Sequence, residues 1–367
     1  MADELSPLET EIRRLIRVAG PMPIAEYMRL CLTHRQHGYY IKHDPIGAGG
    51  DFITAPEISQ MFGELIGVWL ATVWQQMGAP ENVRLIELGP GRGTMMVDAL
   101  RAAKKVPAFL NAIVLHLVEV SPTLRRTQEE RIGLVGVPTH WHSELEDVPS
   151  GPSLVVANEF IDAVPIRQAI RQAHAWYERV VEIEADGKLA IGTAREPLPN
   201  FDATLPPDLR MSPDGSIYEW RADGFAFELG RRVRDDGAAL IIDYGHVRCG
   251  LGETLQAVSG HDYVSPLSSP GDVDLTAHVD FDALAQRAES MGARVHGPVL
   301  QRDWLRRLGI DQRAAALKSH APYGKALEID QTLSRLTAGG SRGMGELCKV
   351  IAIADPKLAS LPGFEPS

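Results

Sequence analysis

The sequence predicts an α/β protein built on an open, mostly parallel sheet, and three observations carry that prediction. From Val83 onward, short apolar runs alternate with stretches of helical periodicity. The first run ends in Glu87 and opens into Gly89-Pro90-Gly91-Arg92-Gly93, and a later one, Leu154 to Ala157, stops at the polar pair Asn158-Glu159. Strand–helix alternation implies parallel strands joined by crossover helices and a sheet covered on both faces. Such sheets bind ligands beyond the carboxyl ends of their strands, where both polar boundaries fall.

The elements follow in order. From Pro7 to about Leu32, apolar and charged residues alternate at helical spacing, broken at Gly20-Pro21-Met22-Pro23, which predicts two short helices. A polar, glycine-rich loop, HGYYIKHDPIGAGGDF, leads to Thr54. The tetrapeptide TAPE then reads as a capping box, with Thr54 as N-cap and Glu57 at N3. The helix it opens carries Ile58, Met61, Phe62, Leu65, Ile66, Trp69 and Val73 on one face. VRLIEL, AIVLHLVEV, VPTHW, SLVVAN and AALIIDYG are the next strands, and RVHGPVLQ and ELCKVIAIA return to the sheet after it, with a helical stretch from about Asp311 to Leu336 between these last two. Two excursions interrupt this order: short strands and turns at about 165–234, and a loop-rich segment at about 245–274. The expected division is an N-terminal helical region, residues 1–80, followed by a Rossmann-like domain, residues 81–367, that carries both insertions.

Charge and cysteine usage exclude some partners. With 37 Lys and Arg against 48 Asp and Glu, the chain carries a formal charge of -11. That argues against nucleic acid, whose phosphates call for dense basic surfaces, and suits a cationic partner. Cys31, Cys249 and Cys348 stand apart, with no CxxC pair and no clustered histidines, so neither a disulfide framework nor a metal site is expected. Asp3, Glu4, Glu9 and Glu11 do not suit a secretory or transit segment, and no apolar run has the length of a membrane span. The expected location is cytoplasmic.

The glycine loop carries the first chemistry. Glycine tolerates positive φ and leaves no Cβ to block a ligand from the backbone. A dinucleotide fingerprint would place a third small residue at Thr94, and a phosphate loop would need a Lys-Ser or Lys-Thr that is absent. What remains is E-x-G-x-G-x-G from Glu87, with Gly89, Gly91 and Gly93. A carboxylate there repels pyrophosphate and attracts an ammonium group, which favours S-adenosylmethionine, with its amino acid end and sulfonium, over NAD. An NAD-dependent oxidoreductase stays as the alternative. Glu119 ends the second strand, where a carboxylate can accept ribose hydroxyls; the plainer reading is a solvated strand end. Trp141 and His142, with Ser143, are candidates for adenine contacts, against core packing for Trp141.

Taken together, GDFITAPEISQMFGELIG, IELGPGRGTMM, ANEFIDAVPI, PGDVDLTAHVDF and MGELCKVI resemble the MidA-like methyltransferases, the family that includes the mitochondrial complex I assembly methyltransferase. The resemblance implies a class I methyltransferase fold with a seven-stranded sheet and substrate-side lid segments, and S-adenosylmethionine as cofactor. It also implies arginine methylation of a protein partner, an NADH dehydrogenase subunit, in support of its assembly, and it makes Phe52 and Thr54 part of a cofactor lid. A second copy of the chain is a further candidate partner. An assembly chaperone that keeps the fold without catalysis is the rival from another class.

Arginine chemistry sets the demands on the site. A guanidinium is a poor nucleophile with delocalised charge, so carboxylates must grip it and draw the charge away from the attacking nitrogen. Glu159 and Asp162, beyond the fourth parallel strand, are the candidates; the plain alternative is a solvated Glu159 and an Asp162 that caps the following turn. Asn158 could instead offer its side-chain carbonyl to an amino nucleophile. His278, in DLTAHVDF, is a candidate base or steering group, against a hydrogen-bonded structural histidine. Asp243 and Tyr244 are expected to line the same crevice.

Overall fold

The computed structural model describes residues 5–42, 54–260, 262–340 and 343–365. These divide into two compact units. The smaller takes the described residues of Met1–Pro45, Asp162–Ala222 and Arg248–Asp280, and the larger those of Ile46–Ile161, Asp223–Val247 and Phe281–Ser367. The first helices thus group with the inserted segments and the helix Gln60–Gln76 groups with the sheet, a different partition from 1–80 and 81–367.

In the larger unit the strands are β1 (Val83–Leu88), β2 (Ile113–Val118), β3 (Thr139–His142), β4 (Ser153–Asn158), β5 (Gly237–His246), β6 (Arg294–Leu300) and β7 (Cys348–Ala354). They lie in the order β6-β7-β5-β4-β1-β2-β3. From β3 through to β5 neighbours are parallel. β7 runs antiparallel to both β5 and β6. Order reverses at β1: β2 and β3 extend to one side and β4 and β5 to the other, which makes the carboxyl ends of β1 and β4 a topological switch point.

β4 is buried along its whole length, as is β5 from Gly237 to Asp243. Parallel strands covered on both faces read as unbroken apolar runs, and this is why SLVVAN and AALIID lack polar alternation. One face packs Leu85, Leu115, Val156 and Ile242 into a core with Phe62, Trp69, Met96 and Leu100. The helix Gln60–Gln76 lies against Thr94–Ala103 at close range: a Cβ on Gly67 would sit 2.2 Å from Ala99 O.

Two helix expectations need correction. The helix from Thr54 is broken at Ser59, whose extended backbone (φ -158°, ψ 134°) separates Ala55–Ile58 from Gln60–Gln76 and whose hydroxyl accepts from Met61 N. The capping box does not form either, since the Thr54 side chain makes no cap bond and Glu57 Oε1 accepts from Thr94 Oγ1 instead. The stretch 311–336 is likewise split, into Ile310–Lys318 and Tyr323–Thr337.

The smaller unit holds the two expected helices, Pro7–Ala19 and Ile24–Thr33. Its antiparallel strands include Ile166–Gln172, Ala175–Ile183, Leu189–Pro197 and Ile217–Arg221, and a three-stranded sheet is built from segments between Gln256 and Thr276. Leu8, Ile12, Tyr27 and Met28 share its core with Ile166, Val181 and Leu275. No helix among the described residues is long and apolar enough to cross a membrane.

Candidate functional site

β1 delivers Glu87 to the switch point and turns through Gly89, Gly91 and Gly93, all at positive φ (60°, 53° and 76°). Gly93 is the N-cap of Thr94–Ala103, and its N–H donates to Pro90 O at 2.8 Å. At Gly89 conformation and space agree: an added Cβ would lie 2.7 Å from Phe160 Cδ2. The loop forms one wall of a solvent-open cleft of about 400 Å3, which also takes in Thr54, Glu57, Glu87, Asn158 and Glu159.

Two acceptors in this cleft lack donors. Glu87 Oε2 and Asn158 Oδ1 are buried without a hydrogen-bond partner among the described residues. Burial, and then the charge of Glu119, push the Glu87 carboxyl up to about 8. An unpaired buried acceptor costs roughly 1–3 kcal/mol, so two in one cleft point to a ligand that brings N–H or O–H donors.

Glu119, just beyond β2, is buried and engaged on both oxygens. Oε1 accepts from Ser121 N at 2.8 Å and Oε2 from Gln128 Nε2 at 3.2 Å. Burial raises its pKa, and those bonds act the other way. Trp141 and His142 adjoin in β3, so their side chains leave on opposite faces. Trp141 Nε1 donates to Gln128 Oε1 at 2.9 Å, whereas His142 Nε2 pairs with His116 Nδ1 at 2.9 Å. The two therefore occupy different surroundings.

Glu159 is the first residue past β4 and sits at φ 48°, a conformation that costs roughly 1–3 kcal/mol outside glycine. Neighbours from β5 hold it there. Glu159 N donates to Ile242 O at 2.9 Å, and Asp243 Oδ2 accepts from Ile161 N (2.8 Å) and Phe160 N (3.2 Å). Its carboxylate accepts from Tyr244 Oη (2.8 Å), Ala55 N (3.2 Å) and Asn158 Nδ2 (3.3 Å). Burial raises its pKa, opposed by these bonds and by the charge of Arg335.

Thr54 lines the cleft, while Phe52 lies outside the described residues. Asp162 and His278 belong to the smaller unit. There Arg221 joins their segments, donating to Asp162 O (3.3 Å), Ala277 O (2.7 Å) and His278 O (2.8 Å). The first turn amides after β4 are taken by Asp243, which the sequence placed in the crevice without a role. Gln128 and Arg221 were missed. Gln128 left one signal: it shares the buried stripe of Pro122–Ile132 with Leu124 and Ile132, a polar side chain where a third apolar one is expected.

A parallel sheet with a glycine loop, two buried strand-end carboxylates and orphaned acceptors at its switch point defines a nucleoside-binding α/β enzyme of the methyltransferase type. Residues 65–299 match the model of a family described as S-adenosyl-L-methionine-dependent methyltransferase. The chain is 38% identical over 346 residues to the protein arginine methyltransferase NDUFAF7 homolog, mitochondrial, of Drosophila melanogaster, covering 86% of this chain and 77% of that one. Against protein arginine methyltransferase NDUFAF7, mitochondrial, identity is 39% over 332 residues in Danio rerio (83% and 77% covered) and 35% over 351 residues in Homo sapiens (87% and 77%). A crystal structure of a COG1565 superfamily member from Burkholderia thailandensis, bound to S-adenosyl-homocysteine, matches with a TM-score of 0.79 at 26% identity, over 98% of this chain and 93% of that one. The chain belongs to this family of S-adenosylmethionine-dependent methyltransferases, which retires the NAD alternative. The donor set fits that cofactor: the unpartnered acceptors Glu87 Oε2 and Asn158 Oδ1 suit an ammonium.

Proposed function

We propose that this chain is a protein arginine N-methyltransferase that modifies a subunit of respiratory NADH dehydrogenase and supports its assembly. One observation carries the reading: a carboxylate beyond β4, Glu159, is locked in orientation within the same cleft as the glycine loop. The names of the curated relatives support arginine as the target, and the family resemblance supports the NADH dehydrogenase subunit.

In this reading Glu87 and the loop Gly89–Gly93 hold the donor's amino acid end and Glu119 its ribose, with Thr54 and Trp141 as further contacts. Bound S-adenosylmethionine supplies an electrophilic sulfonium methyl. Glu159 accepts guanidinium N–H groups and draws positive charge away from the attacking nitrogen, while Asn158 Oδ1 offers a second acceptor. In the transfer the guanidinium nitrogen would gain the methyl carbon as the methyl–sulfur bond breaks, leaving S-adenosylhomocysteine, and would give up one N–H proton, for which Glu159, its pKa raised by burial, is the nearby acceptor. Positioning supplies the rest, since in-line displacement needs the nitrogen lone pair aligned with the methyl. Asp162 and His278 enter on their sequence pattern alone. A cytoplasmic location is part of the proposal, in keeping with three cysteines that form no disulfide.

The test is mass spectrometry of NADH dehydrogenase subunits from cells with the parent chain, with Glu159→Gln, and without the protein. An arginine methyl mark that needs the parent and is lost in Glu159→Gln is expected. Unchanged marks in all three would overturn the substrate assignment, and normal assembly with Glu159→Gln despite a lost mark would favour a chaperone.

A further inference from the structure

Gln128 is fully buried on the helix Pro122–Ile132, and its amide is used at three points. Nε2 donates to Gly91 O at 2.7 Å and to Glu119 Oε2 at 3.2 Å, and Oε1 accepts from Trp141 Nε1 at 2.9 Å. This set leaves the amide one orientation. Flipped, it would turn its oxygen toward a carbonyl and a carboxylate and leave the indole N–H facing an NH2 group. One side chain thereby ties together the loop after β1, the carboxylate after β2 and the ring on β3. A residue needed only to fill this core position could be apolar, like Leu124 and Ile132 one turn to either side.

We propose that Gln128 is the positioning residue of the methyl-donor site: it fixes the direction in which Glu119 presents its carboxylate and keeps the glycine loop and the Trp141 ring in register with it. The proposal rests on the reading that Glu119 accepts the donor's ribose hydroxyls. Glu119 Oε1 has its own anchor in Ser121 N, so loss of Gln128 releases one oxygen and leaves the other held. The released oxygen also loses a donor that favours the ionised form against burial. Without Gln128, then, Glu119 takes up a proton at higher pH and is a weaker acceptor below that point.

The test is calorimetric titration of the full chain with S-adenosylhomocysteine from pH 6 to pH 9, comparing the parent with Gln128→Met, which keeps the volume and removes the amide. The ratio of the two affinities is the readout. A donor to a buried carboxylate is worth roughly tenfold or more. The expected result is a Gln128→Met protein about tenfold weaker at the acid end of the range, with a deficit that shrinks as pH rises. A ratio of one throughout, or a loss that does not vary with pH, overturns the proposal, since a purely structural role gives no pH-dependent ratio. Should Gln128→Met fail to fold by circular dichroism, Trp141→Phe decides by the same criterion: it removes the donor that orients the amide and should raise the same midpoint. Glu119→Gln separates the two layers of the argument. Undiminished affinity in that variant sinks the ribose reading itself, whereas a flat ratio for Gln128→Met sinks only the role of Gln128.

Discussion

Glu87→Gln should stabilise the ligand-free protein while weakening its hold on the methyl donor. Glu87 is 1% exposed, one of its oxygens lacks a partner, and its pKa is pushed from the ordinary 4.5 to about 8. A group whose folded pKa is raised contributes its full stability below the unfolded value and loses it as pH climbs through the folded one. At about 1.36 kcal/mol per pH unit between 4.5 and 7, the ionisable group costs roughly 3 kcal/mol at neutral pH that glutamine does not incur. The advantage of Glu87→Gln should therefore be absent near pH 4.5, reach roughly 3 kcal/mol at pH 7 and level off above pH 8, as read by urea denaturation at each pH. Ligand binding supplies the matching half. Near pH 7 about nine-tenths of Glu87 is protonated in the free protein, so a cationic ammonium beside it should expel close to one proton. Calorimetry of S-adenosylhomocysteine in buffers of different ionisation enthalpy would count that proton in the parent and not in the variant. A stability difference that is flat from pH 4.5 to 8, or the same proton count in both proteins, would refute the reasoning.

Three further predictions follow from the same geometry. Gly89→Ala combines a strained φ with a Cβ placed 2.7 Å from Phe160 Cδ2; it should cost about 1–3 kcal/mol in denaturation and weaken donor binding, with Phe160→Ala restoring part of the stability. Tyr244→Phe removes the hydroxyl 2.8 Å from Glu159 Oε2; turnover on an arginine substrate should fall roughly tenfold to a hundredfold with S-adenosylhomocysteine affinity within about twofold, and equal losses in both would argue against its acting through Glu159. Burial, together with neighbouring His142 and His140, lowers the pKa of His116 to about 4; the unfolded chain therefore binds the proton first, stability should decline as pH falls from about 6.5 toward 4, and His116→Gln should flatten that decline in pH-dependent melts.

The polar boundary at Asn158-Glu159 and the glycine turn after Glu87 were legible because both are local signals: an apolar run that ends, and glycines where the chain must turn at positive φ. The central strand segments were legible for the same reason, since burial on both faces leaves unbroken apolar runs such as SLVVAN. Local signals misled where a residue had a better partner far away. Glu57 matches a capping box, yet its carboxylate serves Thr94, 37 residues on, and Ser59 caps the longer helix instead. Trp141 and His142 look interchangeable in sequence, and the pleat of β3 sends them to different neighbours.

By itself, then, the sequence determined the α/β class, the glycine loop, and the carboxylates that end β1 and β2 and follow β4, because periodicity and turn chemistry are written over a few adjacent residues. Only the tertiary structure decided that β4 lies beside β1, so that Glu87 and Asn158 share one cleft, and that Asp243, Tyr244 and Gln128 hold the site. Those choices belong to strand order and to buried polar groups seeking partners 37 to 85 residues away, as between Gln128 and Gly91 or Tyr244 and Glu159. Satisfying such groups is a condition on the whole folded interior, and no short window of sequence contains it.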